Sequence, residues 1–159
     1  MLAFVGTWEG NSPVPYKDIG GVVTVCNGYT GPDIVKDKIY GKQECDALLK
    51  QSLTAHGKAV LACVKVPLNQ NQYNAFTSLT YNVGAGNFCR SGLPRNKYLI
   101  DVLNEGRYTD ACDRILAYNK ARINGKLVPV FGLTKRRQAE RTMCLTPITP
   151  ESGGQHAIG

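Results

Sequence analysis

The chain has 159 residues, 43% of them hydrophobic, enough to bury a core in one compact domain that could carry two lobes. Its six cysteines stand singly with no C-x-x-C pair, and its two histidines, His56 and His156, lie far apart, so the composition argues against a metal centre and for disulfides. A net charge of +7 and a pI near 9.2 predict attraction to a polyanion, without choosing between nucleic acid, lipopolysaccharide and cell-wall polymer.

In chain order, a short amphipathic helix is expected from Leu2 to about Glu9, ended by Gly10 and the Asn11-Ser12-Pro13 breaker. Its opening apolar residues, Leu2 to Val5, are too few to cross a bilayer or to serve as a signal peptide. Glu9 then sits at a helix C-terminus beside Trp8, where the helix dipole disfavours negative charge, a setting that suits a proton donor. Asp18 falls in a polar turn that suits a carboxylate. From Val14 to about Tyr40, β-branched runs such as Val22-Val23-Thr24-Val25 alternate with glycine-rich turns, which predicts a small antiparallel sheet with Asn27-Gly28 as a hairpin turn and Gly31-Pro32 as a break.

After Gly41 the pattern turns helical, with Cys45, Leu48, Leu49, Ser52, Leu53, His56 and Val60 on one stripe, so His56 reads as a core-facing or hydrogen-bonded residue rather than a ligand. A second helix starts at Asn69, an N-cap with Gln72 three residues on, buries Tyr73, Phe76, Leu79 and Val83, and stops at Gly84 and Gly86. Further helices are expected at 96–104, 109–118 and 133–144. The basic run Lys135, Arg136, Arg137 and Arg141 reads as a solvated helix face, since no nucleic-acid module accompanies it. The tail from Thr146 to Gly159, rich in Pro, Gly and Ser, is expected to be mobile.

Glycoside hydrolysis needs one carboxylic acid to protonate the leaving oxygen and, when configuration inverts, a second carboxylate that prepares a water. Glu9 and Asp18 fit those roles, and the Thr24 hydroxyl, both donor and acceptor, can hold the water from a second direction. The plain alternative is that Glu9 only ends a helix and Asp18 only turns a hairpin.

The segment WEGNSPVPYKDIGGVVTVCNGYTG resembles the phage endolysins of the lambdoid lysozyme family, glycoside hydrolase family 24 muramidases. The matching residues are Glu9-Gly10, Tyr16-Lys17-Asp18 and Gly21-Val22-Val23-Thr24 leading to Gly28. The likeness continues through KVPLNQNQYNAFTSLTYNVGAGNFCRS from Lys65 to Ser91 and GLTKRRQAERTMC from Gly132 to Cys144. One departure is Tyr29, where the family often has histidine. The resemblance implies an α+β, lysozyme-like fold, with a small antiparallel β lobe at about 11–41 and a helical lobe joined to it by a long helix at about 45–61. It also implies a single catalytic domain over 1–145, with a cleft between the lobes for a polysaccharide.

By the same resemblance the chain is an endolysin that hydrolyses the β-1,4 bond between N-acetylmuramic acid and N-acetylglucosamine in bacterial peptidoglycan and lyses the host. Glu9 is then the acid, and Asp18 with Thr24 prepares the water, with inversion. Tyr16, Tyr29, Asn82 and Arg137 are carried over as substrate-binding. Asn82 either reaches the substrate or caps its helix, and Arg137 either pairs with Glu9 or forms a surface ion pair. Action as a monomer in the host periplasm is expected, with no cofactor, metal, nucleic acid or stable membrane insertion. Relatives of this kind carry an N-terminal signal-anchor that releases them, and the chain's abrupt opening is expected to reflect its loss. The rivals are a lytic transglycosylase, for which Asp18 and Thr24 would be dispensable, and a non-catalytic cationic wall-binding module. Of the fifteen pairings open to six cysteines, the element placement favours Cys63 with Cys89, Cys26 with Cys45, and Cys112 with Cys144. Six reduced, buried cysteines are the alternative.

Overall fold

The computed structural model describes residues 1–18 and 20–149. The expected mobility of the tail falls mostly on residues outside that range. The chain divides into two compact units, the first over Met1–Ala55 and the second from His56 onward. The elements run α1 (Leu2–Glu9), β1 (Ser12–Lys17), β2 (Val23–Cys26), α2 (Lys42–Cys63), α3 (Gln70–Val83), α4 (Ala85–Phe88), α5 (Leu99–Asn104), α6 (Tyr108–Arg114) with a 3₁₀ turn (Ile115–Ala117), β3 (Lys120–Ile123), β4 (Lys126–Pro129) and α7 (Phe131–Leu145). Helices and two separate two-stranded antiparallel sheets make this an α+β protein.

In the first unit α1 stops where expected, because Gly10 takes φ +69°, a left-handed conformation that costs glycine little. β1 and β2 form a hairpin in which Tyr16 pairs with Thr24 and Lys17 with Val23, with an irregularity between Ser12 and Tyr16. At the end of β2, Val25 and Tyr29 bridge through two backbone hydrogen bonds of 2.9 Å, closing the tight turn that contains Asn27 and Gly28. Among the described residues, the rest of 14–40 is turn and loop rather than further sheet. A small core of Val25, Cys26, Tyr40 and Cys45, flanked by Tyr29, Ile34 and Leu48, holds these loops on the start of α2. The Cys26–Cys45 disulfide, with a Cα–Cα distance of 5.2 Å, crosses that core.

The second unit is built around α3. Its N-terminus is a complete capping box: the Gln72 N–H donates to Asn69 Oδ1 at 2.8 Å, and the Asn69 N–H donates to Gln72 Oε1 at 2.9 Å. Phe76 and Leu79 are fully buried among Val60, Leu68, Phe88, Leu99, Leu103 and Ile115. Gly84, at φ +90°, ends the helix, whereas Gly86 lies inside the short α4 instead of acting as a stop. The disulfides Cys63–Cys89 and Cys112–Cys144 complete the pairing read from element placement, and no cysteine is free.

Two segments of this unit differ from expectation. The helix expected from Asn96 begins at Leu99, because Asn96 takes φ +68° just after Pro94. Residues 120–129, between two expected helices, form a hairpin whose Asn124-Gly125 turn has φ +50° and +78°, the backbone of a two-residue hairpin loop. The basic run of α7 is likewise not a solvated face throughout, since Arg136 and Arg137 are buried.

Candidate active site

Three of the expected site residues lie on consecutive elements of the first unit. Glu9 is the last residue of α1 and is half-buried. Asp18 follows β1 and closes the hairpin. Its N–H donates to the Val22 carbonyl at 2.9 Å, its own carbonyl accepts from Gly21 N–H at 2.9 Å, and its Oδ1 accepts from Val22 N–H at 2.9 Å. One carboxylate oxygen is therefore committed to the turn, which fixes the side-chain rotamer. Oδ2 accepts no hydrogen bond among the described residues, and the side chain is exposed. Such a carboxylate is preset in direction and open to a water.

Thr24 is only 4% exposed, and its Oγ1 donates to the Val22 carbonyl at 3.0 Å. That bond uses the hydroxyl's only proton and leaves its lone pairs as acceptors. Val22 thus ties both residues: its N–H orients Asp18 and its carbonyl orients Thr24.

Tyr16, opposite Thr24 in the ladder, is 47% exposed. Tyr29 stands where a histidine is usual in the resembling family, and its hydroxyl donates to Asp33 Oδ1 at 2.6 Å. That hydrogen bond to a carboxylate, with burial and the Asp33 and Tyr40 charges adding to it, holds the phenol above its ordinary pKa. Tyr29 is therefore a neutral donor already engaged within its own loop.

Asn27 was legible only as a turn residue. Its side chain is buried, and Nδ2 donates to the carbonyl of Gly10, the residue after Glu9, at 2.5 Å. The partners are 17 residues apart, and no local pattern announces such a bond.

In the second unit Asn82, at the C-terminal end of α3, is exposed, and its Oδ1 accepts from Arg137 Nη1 at 3.0 Å. Asn82 lines an open cavity of about 540 Å³ together with Asn87, Arg90, Tyr98, Tyr118 and Lys120. Arg137, expected at the substrate or on the surface, is fully buried. Its partners include Glu140, Asn82 and the Tyr118 carbonyl, so it supports Asn82 from behind. Glu140 Oε1 also accepts from Ser78 Oγ at 2.7 Å and from Arg136 Nε at 3.1 Å. Burial pushes the Glu140 carboxyl up, against the opposing pull of Arg137, Ser78 and Arg136.

No group of three His, Cys, Asp or Glu residues is arranged to hold a metal among the described residues. No helix among them is long and apolar enough to cross a membrane.

An α+β fold with a glutamate closing its first helix, followed by a hairpin that carries an aspartate and a threonine, is the arrangement expected of a lysozyme-type glycoside hydrolase. Residues 6–140 match the model of the phage lysozyme family, and the chain belongs to that family. It is 42% identical over 137 residues to the SAR-endolysin of Enterobacteria phage P21, a match that covers 86% of this chain and 77% of the relative. To the SAR-endolysin of Pseudomonas phage phiKMV it is 36% identical over 146 residues, 92% of this chain and 86% of the relative. Among solved structures, the muramidase domain of SpmX from Asticaccaulis excentricus superposes with a TM-score of 0.82 at 27% identity, covering 92% of this chain and 95% of that one.

Proposed function

We propose that this lysozyme is an endolysin that hydrolyses the β-1,4 bond between N-acetylmuramic acid and N-acetylglucosamine of peptidoglycan. Glu9 donates a proton to the leaving glycosidic oxygen. Asp18 Oδ2 takes a proton from a water that the Thr24 oxygen holds in line, and the water attacks the anomeric carbon from the face opposite the leaving group, inverting its configuration. The observation that carries this reading is the Asp18–Val22 hydrogen bond at 2.9 Å, which presets a carboxylate with one oxygen open, while the carbonyl of the same Val22 holds the buried Thr24 hydroxyl at 3.0 Å. Membership of the phage lysozyme family and likeness to SAR-endolysins support the choice of substrate.

Asn82 donates through Nδ2 to a substrate amide or hydroxyl in the second unit, with Arg137 holding its rotamer. Tyr16 is exposed enough to stack on a sugar ring. The net charge of +7 favours capture of the anionic wall. Three disulfides suit action in an oxidising compartment, here the host periplasm, and a single chain is the working unit.

The test is Glu9→Gln. It should fold normally and lose most lytic activity, since general acid catalysis contributes ~10²–10⁴-fold. A near-normal rate in that variant would remove Glu9 from the mechanism. Turbidity loss that persists without glycan cleavage would instead indicate a cationic wall-binding module.

A further inference from the structure

The α1 helix has eight residues, and Glu9 is its last. A helix this short is marginal by itself, and its terminal residue frays unless the backbone beyond it is held. Two bonds hold it here. The Gly10 N–H donates back to the Gly6 carbonyl at 3.2 Å, and the Gly10 carbonyl accepts from Asn27 Nδ2 at 2.5 Å. The peptide groups on both sides of Gly10 are thereby fixed, and with them the direction in which Glu9 leaves the helix.

Asn27 is itself well anchored. It is 9% exposed, Gly6 packs close enough that an added Cβ would lie 3.9 Å from Nδ2, and the preceding residue is Cys26, disulfide-bonded to Cys45. It also stands three residues after Thr24, where β2 runs into the turn. One stretch of backbone therefore carries both the hydroxyl assigned to the water and the amide that grips the end of the acid's helix.

We infer that Asn27 is a positioning residue for the general acid: its side-chain amide, by holding the Gly10 carbonyl, keeps the Glu9 carboxyl in register with the Thr24 side of the site. This rests on the assignment of Glu9 as the acid. Loss of the clamp leaves substrate contacts intact and displaces the proton donor, so the effect falls on kcat rather than KM. A misplacement of about 1 Å costs up to ~10²-fold in rate.

The experiment is a double-mutant cycle on the full chain, with dye-labelled peptidoglycan as substrate and residual activities followed by muropeptide release at high enzyme concentration. Asn27→Leu, close in volume and without a donor, should lower kcat ~10–100-fold with KM little changed. Leu68→Ala, a core change in the second unit, controls for stability and should keep kcat at temperatures below its melting transition. Adding Asn27→Leu to Glu9→Gln should cause no further loss, because Asn27 acts only through Glu9. If Asn27→Leu fails to fold, Asn27→Asp, which keeps the shape and puts an acceptor against the carbonyl, carries the same expectations. Wild-type kcat in the single variant, or an equal further loss in the Glu9→Gln background, would overturn the inference. A Glu9→Gln enzyme as fast as wild type would overturn the assignment of the acid, and this inference with it.

Discussion

Arg137 Nε lies 2.7 Å from Glu140 Oε2, three residues along α7, and neither side chain is exposed to solvent. With Arg136 and Ser78 on the other oxygen, Glu140 is the hub of a buried polar cluster between α3 and α7. Such a cluster is costly to break from one side, because the remaining charges cannot reach water.

Glu140→Leu should therefore destabilise the protein by ~3–5 kcal/mol, as both arginines lose their acceptor. Glu140→Gln keeps an acceptor and should be far milder. The pH dependence separates the two forms of the native residue. The folded-state value is raised by burial, so Glu140's contribution is full below the unfolded value of about 4.3 and declines as pH rises through the folded one. Urea unfolding of wild type and Glu140→Gln from pH 4 to 8 should show the wild type losing stability relative to the variant as pH rises. A relative gain would contradict that sign.

The disulfides offer a second check. Cys112 and Cys144 are nearly fully buried and close a loop with a sequence separation of 32. Replacing both by alanine should cost ~2–4 kcal/mol and lower the melting temperature. Thiol titration of denatured, unreduced protein should find no free cysteine, and a count of six would reject all three bonds.

Much of this architecture was legible because its signals are local. Gly10 stops α1, Asn69 and Gln72 form a capping box within one turn, and the stripe from Cys45 to Val60 follows the helical period. The Asn124-Gly125 hairpin carried its own turn signal, yet its strands have four residues each and are largely exposed: the alternation in Lys120-Ala121-Arg122-Ile123 is too short to stand out, and Lys126-Leu127-Val128-Pro129 does not alternate. Asn27 was missed as a determinant for a different reason: its partner is 17 residues away, and only the fold brings the two together. Glu140 has Arg136 and Arg137 within one turn, but its third partner, Ser78, is 62 residues away, and nothing local showed that this face of α7 is buried. Glu9, Asp18 and Thr24 stood out through motif resemblance. Spacing alone left a bland reading of the two carboxylates equally open.

Thr24 tests the water site. Its hydroxyl proton is committed to the Val22 carbonyl, so only its acceptor capacity remains for a water. Thr24→Ser preserves that oxygen and should retain much of the activity, whereas Thr24→Val, of similar shape, should lose far more. Equal rates in the two variants would take the hydroxyl out of the mechanism.

Stereochemistry tests Asp18. A base that acts through water inverts the anomeric carbon, so proton NMR of the first-formed product should show the α anomer at the new reducing end. The β anomer appearing first would mean direct attack by a carboxylate or assistance by the substrate, and Thr24 would lose its water.

The central claim is hydrolysis of the glycan strand through Glu9, and mass spectrometry of muropeptides released from purified sacculi reads it most directly. Wild-type digests should carry N-acetylmuramic acid at intact reducing ends, one water heavier than the anhydro form, and Glu9→Gln digests should release almost none. Anhydro ends would mean a transglycosylase that needs neither Asp18 nor Thr24, and uncut glycan beside lysed cells would contradict enzymatic cleavage altogether.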